Sequence, residues 1–241
     1  MTAHPFTLSP VHSSWRPCIT TALNEIDPSY LSTLANTHWL PGPAHLLNAF
    51  SLPLQETKYI LIGESPYPRA SSANGYAFWD AAVDQLWSST GLSKPVNRAT
   101  SLRNIIKMLL LTENLLKPTD LTQAAITAIN KQPLVQTNQA LFGNFLNRGF
   151  LLLNATLVLH PARAPDKDAK QFFPFLKHII DYLVHEKPTV TFVLLGRIAK
   201  KIAPLLPAHA PKLIAEHPYQ LSFITSSAVQ NFFRPLHLLM V

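Results

Sequence analysis

Two hydrophobic patterns alternate along this chain. Short unbroken apolar runs predict buried strands, and apolar residues recurring every three to four positions predict helices between them. KYILI, Lys58 to Ile62, is the first such run and feeds a loop at Gly63. GFLLLNATLVL, from Gly149, predicts a second strand that ends near Asn154. VTFVLL, Val190 to Leu195, predicts a third. KLIAEH, Lys212 to His217, predicts a fourth, whose His217–Pro218 end must leave the sheet. Asp27–Pro28 is a helix start, with Asp as cap and Pro in the first turn, and SYLSTLANTHWL continues it to before Pro41–Gly42. LRNIIKMLLL, after Ser101, places Leu102, Ile105, Ile106 and Leu109 on one helical face. QFFPFLKHIIDYLVHE is helical in period, so Pro174 is expected in its first turn or at a kink. RIAKKIAPLL predicts a basic helix after Gly196, and NFFRPLHLL a last helix. The first 25 residues carry few periodic signals. Residues 1–25 are therefore expected to wrap as an arm on a single domain over 26–241.

Four apolar strands alternating with helices predict an α/β fold: one domain with a central, mostly parallel four-stranded sheet flanked by helices. Ligands of such sheets bind at the carboxyl ends of the strands. Gly63 to Tyr67, Asn154 and His217 are thus expected to face one crevice.

Composition narrows the partners. Among 241 residues, 47% are hydrophobic, but only 14% are charged, against roughly 25% in ordinary domains. Lys and Arg outnumber Asp and Glu by 20 to 13, and the net charge of +7 suits a polyanion such as DNA. Cys18 is the only cysteine. It excludes an internal disulfide, and by itself it holds neither zinc nor an iron–sulfur cluster, so no metal or cofactor is expected. No apolar run reaches the ~18 residues of a membrane span, and the N-terminus has no signal-peptide core. A soluble, cytoplasmic monomer is the expectation.

Six segments carry the chemistry. GESPYPRASSANGYAF, Gly63 to Phe78, follows the first strand; ATSLRNI, from Ala99, opens a helix; LLLNATL holds Asn154. FVLLGRIAKKI, HPYQLS (His217 to Ser222) and NFFRPLH follow. In that order they resemble the signature segments of family-1 uracil-DNA glycosylases: GQDPYH with a Gly-Leu-Ala-Phe segment, PPSL, LLLN, FLLWG-x-x-A-x-K-K, HPSPLS and GFF-x-x-x-HF. The resemblance covers roughly residues 58 to 240.

It implies a base-excision repair enzyme that extrudes uracil, or a related deaminated base, from DNA and hydrolyses its N-glycosidic bond. By the resemblance, Phe78 stacks on the base and Tyr67 lies against C5, where its bulk excludes thymine. Asn154 reads the base edge with one donor and one acceptor. His217 donates to O2 as negative charge develops there. Leu221 enters the duplex as an apolar wedge. Ser101 and Ser222 hold phosphates, and Lys200 and Lys201 add positive charge nearby. Taken singly, each residue has an ordinary reading: Phe78 and Leu221 as core, Asn154 and His217–Pro218 as turns, Ser101 as a helix cap, Lys200–Lys201 as a solvated face. Their joint placement at strand ends raises them above it.

Several positions depart from the pattern. The water-activating Asp of GQDPYH is here Ser65, which is uncharged. Pro68 replaces the motif His, Tyr219 replaces a Ser of HPSPLS, and Ala99–Thr100 replace the two prolines. Glu64 puts a carboxylate one residue earlier, as in the GEAPG segment of another glycosylase family. Adjacent side chains of extended backbone point opposite ways, so Glu64 is no direct substitute. Two readings of Glu64 stand: water activation in a rearranged loop, or hydrogen bonds to loop amides. Asp80 and Asp84 are further carboxylates near the site by sequence. The alternative function is a catalytically inactive homologue acting as a DNA-binding or scaffold module.

Overall fold

Parallel strands require long crossovers, and helices fill them here. The computed structural model describes residues 6–160 and 165–241. Its strands are β1 (Tyr59–Gly63), a short hairpin of β2 (Trp87–Ser88) and β3 (Gly91–Leu92), β4 (Phe150–Asn154), β5 (Thr191–Leu195) and β6 (Lys212–Ala215). The main sheet runs β4-β1-β5-β6 with every pair parallel. This is the expected four-stranded sheet.

Side chains alternate across it. Ile60, Ile62, Leu151, Leu153, Phe192 and Leu194 enter one core. Leu61, Phe150, Leu152, Val193 and Leu195 enter the other. Both faces are therefore buried, which is why the strands read as continuous apolar runs. The first face is covered by α1 (Arg16–Asn24), α2 (Pro28–Ala35), α7 (Pro165–Glu186) and α8 (Arg197–Ile202). The second is covered by α3 (Lys94–Arg98), α4 (Thr100–Thr112), α5 (Gln123–Thr127), α6 (Asn138–Asn147), α9 (Ser222–Thr225) and α10 (Ser227–Phe233). Leu102, Ile105, Ile106 and Leu109 of α4 are buried as their spacing predicts. None of the helices described is long and apolar enough to cross a membrane.

Three expectations change. The segment read as an arm contains α1, which packs on α7; Trp15, just ahead of it, and Ile19, Ala22 and Leu23 within it enter the core. Those four positions have helical spacing, and Pro17 lies in the first turn. Helix α2 starts at its Asp27 cap as predicted but ends at Ala35, where Trp39 donates its indole N–H to the Leu34 carbonyl. Pro174 lies well inside α7, because that helix begins at Pro165 rather than near Gln171.

A buried polar cluster pins α7 to α2. The His160 ring Nδ1 lies 2.9 Å from both Asp168 oxygens, and the His160 amide donates to Asp168 Oδ2 at 3.1 Å. Tyr30 donates its hydroxyl to Asp168 Oδ1 at 2.8 Å, and Thr37 Oγ1 lies 3.2 Å from His160 Nε2. Asp168 is 1% exposed and His160 4%. Removing the buried Asp168 carboxylate takes away the acceptor shared by the His160 ring, the His160 amide and the Tyr30 hydroxyl. Asp168→Ala is therefore expected to lower unfolding stability by roughly 3–5 kcal/mol, read from urea denaturation; a loss below about 1 kcal/mol, the scale of an exposed pair, would contradict this role.

Candidate active site

The site begins where β1 and β4 end together, with Gly63 opposite Asn154. A Cβ on Gly63 would lie 2.5 Å from Asn154 Oδ1 and 2.9 Å from Ala77 Cβ, so only glycine leaves that amide its place. The pairing continues past the strands. Ala155 N donates to the Gly63 carbonyl at 2.9 Å, and Thr156 N to the Glu64 carbonyl at 3.1 Å. A second glycine seats the histidine. Gly196 has φ +71°, and a Cβ there would lie 2.6 Å from His217 Cβ.

The segment after Tyr67 returns to the sheet when Ala77 N donates to the Leu152 carbonyl at 3.0 Å. The next residue, Phe78, has φ +64°, a left-handed backbone costing an aromatic residue on the order of 1–3 kcal/mol. Its carbonyl accepts the Tyr67 hydroxyl at 3.1 Å. Burial, with Asp80 nearby, pushes the Tyr67 phenol well above its usual range, so the hydroxyl stays a neutral donor.

These strand ends line an open-mouthed cavity of about 160 Å³. An apolar cavity of roughly 150 Å³ holds one benzene ring, so the space suits a single pyrimidine. Glu64, Ser65, Tyr67, Phe78, Ser101, Asn154 and His217 all line it, together with Gly63 and Tyr76. Phe78 and His217 place their ring centroids 5.9 Å apart at 33°. Asn154 is 4% exposed, yet among the described residues its side chain makes no hydrogen bond. Its amide lies open to the cavity, which leaves one donor and one acceptor free of protein partners.

His217 has a defined tautomer. Tyr219 N donates to its Nδ1 at 3.1 Å, so Nδ1 carries the lone pair and the neutral ring bears its proton on Nε2. Burial lowers the His217 pKa from 6.5; Glu64 opposes that shift and Arg197 adds to it. The loop is held from α4, where buried Asn104 donates from Nδ2 to the Pro218 carbonyl at 2.7 Å.

Of the two sequence readings of Glu64, the hydrogen bonds to loop amides are not what the structure shows. Its carboxylate does not cap loop amides; Oε2 lies 3.5 Å from Arg197 Nη2 and Oε1 3.6 Å from Lys201 Nζ. It is the only carboxylate lining the cavity among the described residues. Asp80 is buried elsewhere, accepting from Ala82 N at 3.0 Å and pairing with Arg69 at 3.2 Å. Asp84 Oδ2 accepts from the Gln85 amide, away from the cavity lining. Ser101 is not the helix cap: α4 begins at Thr100 behind Ala99, which makes no side-chain cap. Ser101 instead faces the cavity from the first turn.

Leu221 is 72% exposed and Tyr219 64%, at the rim of the same loop, and Ser222 beside them is exposed at the start of α9. Lys200 and Arg197 line a groove of about 930 Å³ that opens beside Phe78 and His217. Lys201 lies on the other side of Glu64, with Ser65 and Thr156. The sequence reading missed three residues. Tyr76 occupies the Leu position of the Gly-Leu-Ala-Phe segment and is tethered to Ser51 Oγ at 2.9 Å. Asn104 sat unnoticed among apolar neighbours, although a lone polar residue in LRNII is itself a signal. Arg197 opens the same basic helix as Lys200–Lys201, and that run of cations is its signal in the sequence.

Similarity to known proteins gives the family. The sequence profile described as the Uracil DNA glycosylase superfamily matches residues 51–236. The chain is 27% identical to the uracil-DNA glycosylase of Corynebacterium glutamicum over 88% of this chain and 82% of that one. It is 30% identical to that of Campylobacter jejuni over 82% and 74%. The crystal structure of the wild-type UNG from Nitratifractor salsuginis superposes with a TM-score of 0.91 at 38% identity, over 97% of this chain and 94% of that one. The mimivirus uracil-DNA glycosylase, 18% identical with a TM-score of 0.60, shares the fold. With its profile match, sheet order and strand-end cavity in accord, the chain belongs to the uracil-DNA glycosylase superfamily.

Proposed function

We propose that this protein hydrolyses the N-glycosidic bond of uracil in DNA, with Asn154 reading the base. The partnerless Asn154 amide in a ring-sized cavity carries this reading. One amide offers a donor and an acceptor, the pattern of a uracil edge, which the exocyclic amine of cytosine inverts. Phe78 supplies the stacking face and Tyr67 the bulk beside C5. The His217 Nε2–H donates to O2, where charge accumulates as the base departs. Leu221 fills the gap left by the flipped nucleotide, while Ser101, Ser222 and Lys200 meet phosphates. Water attacks C1′ as the bond to the base breaks. Glu64 is the carboxylate left to balance the cationic sugar, because Ser65 brings no charge. That lack of charge also motivates the second reading, a DNA-binding homologue without turnover.

Incubation with single- and double-stranded uracil-DNA is expected to yield abasic sites. Absence of product at excess enzyme on uracil, hypoxanthine and xanthine alike would leave the binding module. Asn154→Ala is expected to lower kcat/KM by roughly 10²–10³, the cost of one lost transition-state donor. Ser65→Asp is expected to raise the rate, within the roughly 10²–10⁴ range of a general base; an unchanged rate would place water activation elsewhere.

The pH profile tests His217. Its pKa in the folded protein lies below 6.5, so the neutral donor persists beneath that pH and is lost only as pH falls further. The acid limb of kcat/KM governed by His217 is expected below pH 6.5 and absent in His217→Gln. An acid limb above that value, or one kept by the variant, would count against the neutral donor.

A further inference from the structure

Arg197 and Lys201 stand four residues apart on α8 and therefore share one helix face. Glu64 is set between them, one carboxylate oxygen toward each cation. At 3.5 and 3.6 Å these are loose contacts between exposed groups, and such pairs contribute little. A phosphodiester carries the same single negative charge and offers the same two oxygens. Location adds to the chemistry. Glu64 lines the base cavity, the groove with Arg197, and the smaller hollow with Lys201. A base held against Asn154 and His217 puts its sugar at the cavity mouth, and the flanking phosphates must pass beside it.

We propose that Arg197 and Lys201 form a phosphate seat that Glu64 occupies in the free protein. A backbone phosphate beside the flipped nucleotide displaces the carboxylate. The displaced carboxylate then faces the cavity mouth, where positive charge develops on the sugar. DNA binding and delivery of the charge missing at Ser65 become one exchange. This assignment rests on the glycosylase reading for its second half, and on DNA binding alone for its first.

Binding is measured by fluorescence anisotropy with a short, uracil-free single-stranded DNA, so that excision plays no part. Glu64→Gln is expected to bind roughly two- to fivefold tighter, the scale of one exposed ion pair. Arg197→Ala and Lys201→Ala are expected to bind more weakly, the pair together lowering the salt slope by roughly 0.7 for the phosphate lost. The gain from Glu64→Gln is expected to vanish when both cations are absent, as direct competition requires. On uracil-DNA, Glu64→Gln is expected to turn over more slowly despite tighter binding, opposite signs that a simple structural bridge does not produce. Unchanged or weaker binding by Glu64→Gln overturns the seat, and so does a gain that survives loss of both cations. Exchange without abasic product, in the wild type, would keep the seat and sink the glycosylase reading. Tighter binding with undiminished turnover would keep the seat and remove the catalytic half.

Discussion

Everything at the site hangs on the parallel pairing of β1 with β4, which ends with Gly63 beside Asn154. Parallel strands bring their carboxyl ends to one edge. Here that edge sets a bare glycine against a buried amide, and the missing Cβ is what lets the amide reach the cavity. The amide bonds from Ala155 and Thr156 then lock the Glu64 loop to the Asn154 loop. The sheet thereby fixes the backbone of Asn154 and that of Glu64 relative to each other before any ligand arrives. Such preorganisation is what transition-state stabilisation by fixed dipoles requires.

The same logic repeats on the other side of β1. Gly196, at the end of β5, approaches His217 closely, and Asn104 holds the following loop from α4. The amide of Tyr219 selects the ring tautomer, and burial keeps the ring neutral. A neutral donor carries no desolvation penalty of a buried cation and still strengthens its bond as charge grows on the acceptor. Charge at this site is therefore concentrated in Glu64 and its two cations, while the rest of the cavity lining is neutral.

Local strain sits at the cavity wall. Phe78 adopts a left-handed backbone that few aromatic residues accept, and Tyr67 and the Ala77 amide hold it there. Both anchors belong to the cavity wall or the sheet beneath it. The conformation turns the Phe78 ring toward the histidine, with the ring centroids 5.9 Å apart.

The sequence by itself determined the four strands, their parallel order of burial, and the set of residues that meet at their ends. Those strands are buried on both faces, so their apolar runs are unbroken, and a motif residue placed at a strand end has only one direction to go. Residues 16–24 show the limit of that reading, because the helical spacing of Trp15, Ile19 and Leu23 was short and flanked by irregular chain. Pro174 shows another, since the start of α7 depends on residues with no apolar period. What only the tertiary structure decided was the partner of each charged or polar side chain. Whether Glu64 met loop amides, water or cations depended on where α8 came to lie, and α8 is distant in sequence. The tautomer of His217 likewise depended on one amide direction in a folded loop. Periodicity encodes which face is buried; it does not encode which two groups, far apart along the chain, arrive within hydrogen-bonding distance.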